Sequence, residues 1–178
     1  MSQPQRLAIV ASASGNGKTT VGRQLATQLG LPFLELDSLF HGPNWTQPPL
    51  AEIRAQLDPI LAGPGWVIDG VYMTHLGNLI PDHAELIVWL DLPIRVWLPR
   101  LLRRTYRRIH NQEELWNGNR EAWRGVLLGR KALLPYAIRS HFRRRRQWPA
   151  EFGPTPVTRL RKQTEIDAFV ADPVAAHS

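Results

Sequence analysis

The stretch Ser12-Ala13-Ser14-Gly15-Asn16-Gly17-Lys18-Thr19 decides how the rest of the chain is read. It follows the apolar run Arg6-Leu7-Ala8-Ile9-Val10-Ala11, which has the composition of a buried strand. It precedes Thr19 to Leu29, where Val21, Leu25, Ala26 and Leu29 recur at helical spacing until Gly30 and Pro32 stop the pattern. A strand, a glycine loop and a helix in that order, with lysine and threonine ending the loop, make a P-loop. Glycines at 15 and 17 let backbone N–H groups turn inward around phosphate oxygens, and the helix N-terminus adds the positive end of its dipole. Ser12, Ala13, Ser14, Gly15, Asn16, Gly17, Lys18, Thr19 and Thr20 are therefore the expected ATP-binding residues. Lys18 is placed to bridge the β- and γ-phosphates, and Thr19 to offer its hydroxyl to Mg²⁺. The one departure is Ser12, which stands where the pattern has its first glycine.

Outward from the loop, short apolar segments alternate with helical ones. Phe33 to Asp37 reads as a second strand, Trp66 to Gly70 as a third with its turn, Glu85 to Asp91 as a fourth, and Val157 to Leu160 as a fifth. Leu50 to Leu61 carries Ile53, Leu57, Ile60 and Leu61 on one helical face. Pro93 is suited to open a helix, and arginine-rich helical sequence continues to about Trp148 with a break between His110 and Asn119. A last helix is expected over Thr164 to Val170. This alternation predicts a three-layer α/β P-loop fold, a five-stranded parallel sheet covered on both faces, with a helical arginine-rich lid. The expected organisation is one domain over residues 1–178, with a lid subregion at about 105–125. Ligands of such sheets lie beyond the carboxyl ends of the strands, which is where Ser14 to Thr20, Asp37, Asp69 and Asp91 all fall.

Two acids, Asp69 and Asp91, follow apolar strands, and either can supply the carboxylate that acts on Mg²⁺ through water. Gly70 beside Asp69 leaves room for nucleotide and metal, so Asp69 is assigned that role with Thr19, and Asp91 before Leu92-Pro93 is read as a turn residue. Asp37 is placed to meet an acceptor hydroxyl as ligand or base, or else to cap the next turn. His41 is a second, weaker acceptor-side candidate, and Trp45 reads as packing beneath its loop.

Charge is unevenly spread. The segment Arg95 to Arg146 holds 15 of the 22 Lys/Arg and three of the 15 acids. A basic half on an otherwise acidic chain calls for a polyanionic partner: a nucleotide's phosphates, a nucleic acid or a membrane surface. Arg100, Arg104, Arg107 and Arg108 share one broad helical face opposite Leu98, Leu101, Leu102 and Ile109. Arg143 to Arg146 point around a helix, so all four cannot meet one ligand. No run reaches the roughly 20 apolar residues of a membrane span, no apolar stretch marks a secretory leader at Met1 to Arg6, and no cysteine is present for disulfide, thiolate metal site or thiol nucleophile. A cytoplasmic protein, monomeric or weakly dimeric, is expected.

At these residues the chain resembles the adenylate-kinase-related P-loop proteins, some of which are labelled DNA topology modulation proteins. The likeness is carried by Ser12 to Thr20, Asp37-Ser38-Leu39-Phe40, Trp66-Val67-Ile68-Asp69-Gly70, Leu90-Asp91-Leu92-Pro93 and Leu115-Trp116-Asn117-Gly118-Asn119-Arg120-Glu121, and extends to the terminal Leu160 to Phe169 segment. The resemblance implies a nucleoside-monophosphate-kinase fold with a mobile lid, Asp69 in the metal-associated position, and lid arginines four apart over the nucleotide, here Arg100 and Arg104. Adenylate kinases follow the Asp-Gly pair with Phe-Pro-Arg. This chain has Val71-Tyr72-Met73, without the arginine that grips the acceptor nucleotide.

The expected activity is transfer of the γ-phosphoryl group of Mg-ATP to a nucleotide or other small acceptor, with Lys18, Asp69, Arg100 and Arg104 catalytic. The rival is a nucleic-acid-binding ATPase or nucleotide-dependent regulator using the arginine belt on phosphate backbone, although no nucleic-acid recognition module is evident. An ATP-binding protein with degraded catalysis ranks last, because Lys18, Thr19 and Asp69 are all present.

Overall fold

The computed structural model describes residues 4–127 and 132–173. Within them the chain runs β1 (Arg6–Ala11), α1 (Lys18–Leu29), β2 (Phe33–Glu35), α2 (Leu36–Phe40), α3 (Leu50–Leu61), β3 (Trp66–Asp69), α4 (Met73–Leu76), α5 (Leu79–His83), β4 (Leu86–Leu90), α6 (Ile94–His110), α7 (Trp123–Leu127), α8 (Leu133–Glu151), β5 (Val157–Leu160) and α9 (Gln163–Ala171). One-turn 3₁₀ helices at Pro43–Trp45 and Trp116–Gly118 interrupt the connections. All described strand pairs are parallel, in the order β2-β3-β1-β4-β5.

Period-2 alternation along β1 sorts the core into two layers. Ala8 and Val10 face a cluster with Ile68, Ile87, Trp89, Leu36, Phe40, Ile53, Leu57, Trp148 and Phe152, which joins the sheet to α2, α3 and α8. Leu7, Ile9 and Ala11 face the other way, against Val21, Leu25 and Ala26 of α1 and Ile166 and Phe169 of α9. This is the three-layer arrangement expected from the sequence. β1 is central and buried from Leu7 to Ala11, so the loop that follows it leaves from the most rigid point of the sheet.

Two boundaries differ from expectation. The second strand ends at Glu35, and Asp37 sits in the first turn of α2. Leu36 and Phe40 are buried while Ser38 between them is not. A strand would turn residue 38 to the same face as 36 and 40, whereas one helical turn brings only 36 and 40 together. The expected arginine-rich helical run is broken more than once: α6 stops at His110, and α7 and α8 follow as separate helices. The part of that run at 128–131, like Met1 to Gln3, lies outside the described residues. Among the described residues no helix is long and apolar enough to cross a membrane.

Candidate active site

The loop after β1 is shaped by close packing beneath it. Gly15 has φ 88°, and a Cβ there would come within 2.6 Å of the Trp97 carbonyl oxygen of α6, so neither the conformation nor the space admits a side chain. Gly17, at φ 90°, is the residue from which α1 starts. Asn16 is buried and braces the loop: its Nδ2 donates to the Ala13 carbonyl (2.8 Å), and its Oδ1 accepts from the Leu92 backbone N–H (2.9 Å). Ser12 explains its own departure from glycine. Its hydroxyl donates to Asp91 (2.5 Å) and accepts from the Trp89 indole N–H (2.9 Å), which ties the root of the loop to β4.

Lys18 and Thr19, the first residues of α1, meet the end of β3. The Lys18 ammonium pairs with Asp69, and the Thr19 hydroxyl donates to the other Asp69 oxygen at 2.6 Å. Asp69 is 1% exposed, and its partners belong to the loop's ligand-facing end. Glu35, at the end of β2, joins them: it accepts from Thr19 (3.3 Å) and pairs with Arg23 (3.6 Å). Sequence reasoning missed Glu35. The available signal was a charged residue inside the strand-like run Phe33 to Asp37, two residues before Asp37. Thr19, Glu35 and Asp69 offer hard oxygen donors of the kind magnesium takes.

Asp91 is built differently. It is fully buried, and besides Ser12 it accepts from Arg145 (3.0 Å) of α8 and from both Nε (2.9 Å) and Nη2 (2.6 Å) of Arg159 of β5. Its lone pairs are spent on the protein's own cations.

Asp37 faces the cleft from α2. Its Oδ1 accepts from the Tyr72 hydroxyl at 2.6 Å, and no described residue donates to its Oδ2. Tyr72 is stacked on Phe40 (ring centroids 3.7 Å apart) and held at φ 44°. Burial, and after it the adjacent Asp37, push its phenol far above the ordinary value, so it is a fixed donor to Asp37. His41 lies one turn beyond Asp37, its N–H bonded to the Asp37 carbonyl. Its ring contacts those of Trp45 and Trp116 at 5.4 and 5.5 Å. Trp45 is not packed beneath its loop as expected. It is 44% exposed, at φ 58°, and lines the cleft.

The arginines separate by depth. Arg100 is exposed and donates to Gln163 (2.9 Å). Arg104 is half-buried in the same cleft with its Nε unpartnered. Burial, then Arg108, push its guanidinium below the ordinary value, opposed by Glu121, Asp37 and Glu35, and it remains a cation at neutral pH. Arg108 pairs with Glu121 (2.9 Å) and Arg107 with Glu113 (2.9 Å). The run 143–146 divides as expected: Arg144 turns inward, donates to the Ala11 carbonyl (2.9 Å) and lies over Trp148 (5.0 Å), while Arg145 holds Asp91. Nothing in the sequence singles out Arg144 from its neighbours.

Lys18, Thr19, Glu35, Asp37, His41, Trp45, Arg104 and Arg144 line one cavity of about 2260 Å³. That exceeds the roughly 300–1,000 Å³ of a one-ligand pocket and leaves room for two substrates side by side.

The shikimate kinase family model matches residues 14–47, from the loop through α2 to the first 3₁₀ turn. No curated protein matches the chain. Among solved structures, a gluconokinase from Sinorhizobium meliloti 1021 is 18% identical, with a TM-score of 0.55 over 99% of this chain and 93% of its own. A shikimate kinase from Bacteroides thetaiotaomicron is 17% identical, with a TM-score of 0.54 over 94% and 95%. A deoxyadenosine kinase from M. mycoides, solved with bound dATP, is 12% identical, with a TM-score of 0.53 over 94% and 98%. At these identities the likeness speaks for the fold, so the adenylate-kinase resemblance is supported at the coarser level of P-loop kinases as a whole, and that is the architecture this chain has.

Proposed function

We propose that the chain is an ATP-dependent kinase that transfers the γ-phosphoryl group of Mg-ATP to a hydroxyl of a small acceptor beside Asp37. The observation that carries this reading is the convergence of Lys18, Thr19, Glu35 and Asp69 at the mouth of a braced phosphate loop, with a third carboxylate, Asp37, facing the same cleft. Thr19 and Asp69, with Glu35, are the residues that would hold Mg²⁺, Asp69 through water. When bound, the ion would neutralise charge on the phosphates. Lys18 would leave Asp69 for the β- and γ-phosphates once these enter the loop.

In the transfer, the acceptor oxygen bonds to the γ-phosphorus as the bond from that phosphorus to the β–γ bridging oxygen breaks. The acceptor proton passes to the open Oδ2 of Asp37, and ADP leaves with the electron pair. Arg104 serves the spreading charge better than Arg100, because it lies deeper and its guanidinium is less engaged. Arg144, at the root of the loop, is a third cation for the same region. His41 stays an acceptor-side residue, and the segment at about 105–125 acts as cover over that side. The test is ADP release against a panel of alcohols in wild type, Asp37→Asn, Arg100→Ala and Arg104→Ala. Arg104→Ala is expected to lower turnover about 10³-fold, Arg100→Ala far less, and Asp37→Asn to lower turnover with ATP affinity kept. Matched loss of ATP binding in Asp37→Asn would reduce that residue to a loop support.

A second reading, polyanion binding, has one observation in its favour: on α8 the exposed Arg143 and Arg146 flank Phe142, itself 54% exposed. Duplex DNA affinity falling by about 10³–10⁵ between 50 and 200 mM salt would support it. Absence of binding at 50 mM would end it.

A further inference from the structure

Two large aromatic residues on the acceptor side hold backbone conformations that bulky side chains rarely adopt: Tyr72 at φ 44° and Trp45 at φ 58°. Such strain persists only where the surroundings enforce it, and it concentrates at ligand sites. The surroundings here are specific. Asn119 is buried, accepts the Trp45 N–H on its Oδ1 (2.8 Å), and donates from Nδ2 to the Gly42 carbonyl (2.9 Å) and the Trp116 carbonyl (2.8 Å). Asn117 donates to the His41 carbonyl at 2.6 Å. Two side-chain amides thus clasp the 3₁₀ turn Trp116–Gly118 to the 3₁₀ turn Pro43–Trp45. The clasp sets His41 edge to face with Trp45 and tilted by 33° against Trp116, the three rings along one wall of the cleft.

That wall begins one helical turn, about 5 Å, beyond Asp37. Neither turn needs an aromatic cluster for its own core: both lack a fully buried residue of their own, and Trp45 keeps 44% of its surface open. An indole left open in a cleft offers a face on which a flat ring can stack.

We infer that the His41–Trp45–Trp116 wall is the acceptor-recognition surface, and that the acceptor is a ring-bearing alcohol whose ring face lies on the indoles while its hydroxyl reaches Asp37. This rests on the kinase reading for the hydroxyl, though not for the ring. Asn119 is the positioning residue: it touches no ligand and fixes the strained Trp45. A nucleoside base offers a planar π face and a sugar or cyclohexene ring a C–H face, either of which can lie on an indole, and the experiment separates them.

Adenosine, thymidine, glucose, shikimate, gluconate and glycerol are offered to wild type, Trp45→Ala, Trp116→Ala and Asn119→Asp. Equilibrium dialysis reads binding of each compound, ADP release reads turnover, and ATP affinity is measured in parallel. The ring compounds are expected to bind and the open-chain ones not, with affinity or acceptor KM weakened about 5- to 150-fold in each Trp→Ala variant and the ATP KM unchanged. Nucleosides bound in preference to glucose and shikimate identify a base, and the converse a non-aromatic ring. In Asn119→Asp the amide donor is lost, so acceptor KM rises while kcat and ATP KM hold; Asn119→Gln, which keeps a donor and an acceptor, recovers part of the loss. Ring binding that both Trp→Ala variants weaken, without phosphoryl transfer, keeps this inference and removes the kinase reading. No ring compound bound, a better open-chain acceptor, or ring affinity unmoved by both Trp→Ala variants overturns the inference whatever the enzyme does with ATP.

Discussion

Strands β3 and β4 lie on either side of β1; β3 ends in Asp69 and β4 is followed at once by Asp91, both with almost no exposed surface. Their surroundings differ in kind. Asp69 is met by Lys18 and Thr19, the two residues that end the loop and begin α1. Asp91 is met by Ser12, Arg145 and Arg159, none of which can leave without opening the link between the loop's root, α8 and β5. Burial alone therefore does not mark a functional carboxylate. What matters is whether the groups that satisfy it can be drawn away by a ligand.

The largest expected effect is on the loop side. Lys18→Ala is expected to cut turnover by about 10³-fold or more with the melting temperature near wild type, because Lys18 rims the cradle and not the core. Unchanged ATP affinity and turnover would remove the loop side of the comparison altogether. Asp69→Asn comes next: a loss of about 10²–10³-fold in turnover, felt as weakened Mg²⁺ dependence more than as weakened nucleotide binding, and seen in a magnesium titration at fixed ATP.

Asp91→Asn should do the reverse. Leaving Arg145 and Arg159 without their carboxylate is expected to cost about 3 kcal/mol in a urea melt, the low end of the usual range because Arg145 is 39% exposed and partly screened. Protein that stays folded should keep its Mg²⁺ response. Were Asp91→Asn the more damaging to that response, the two aspartates would have to exchange roles. The smallest effect sharpens the contrast: Ser12→Gly restores the residue a P-loop normally has, yet it removes a hydroxyl that serves both Asp91 and Trp89. A loss of about 1 kcal/mol with undiminished ATP affinity is expected. Unaltered stability would show that the Ser12 bonds add nothing.

Much of this contrast is legible in the amino-acid sequence. The loop and the five strands follow from local chemistry: glycines where N–H groups must converge and apolar runs of strand length, with Gly70 next to Asp69 and Pro93 two residues after Asp91 as the local signals at the two aspartates. What is not legible depends on contacts far apart in the chain. Ser12 looks like a weakness in the motif because its partners, Trp89 and Asp91, are 77 and 79 residues away. Arg144 and Arg145 look alike in a run of four, and only the docking of α8 sends one to Ala11 and the other to Asp91. Trp45 reads as a packed residue because large aromatics usually are. The clasp from Asn119, 74 residues on, is what holds it open. Asp37 falls on a strand by composition, since Phe33 to Asp37 is strand-like throughout, and the tertiary demand to bury both Leu36 and Phe40 wins over that local preference.

The contact between Gly15 and the Trp97 carbonyl has a mechanical side. Helix α6 is a rod of 17 residues resting on the phosphate loop near its first third, which makes Gly15 a fulcrum. Leu101 closes on the same point, its Cβ 3.1 Å from where a Gly15 side chain would start, and beyond it the rod extends about 13 Å to His110, at about 1.5 Å per residue. A tilt of about 10° at the fulcrum then swings the far end by about 2 Å, with Arg104 and Arg108 travelling in proportion to their distance from it. Any pressure that phosphate binding exerts on the loop's underside is thus geared up along the arginine row, and a side chain as small as alanine at position 15 would jam the bearing.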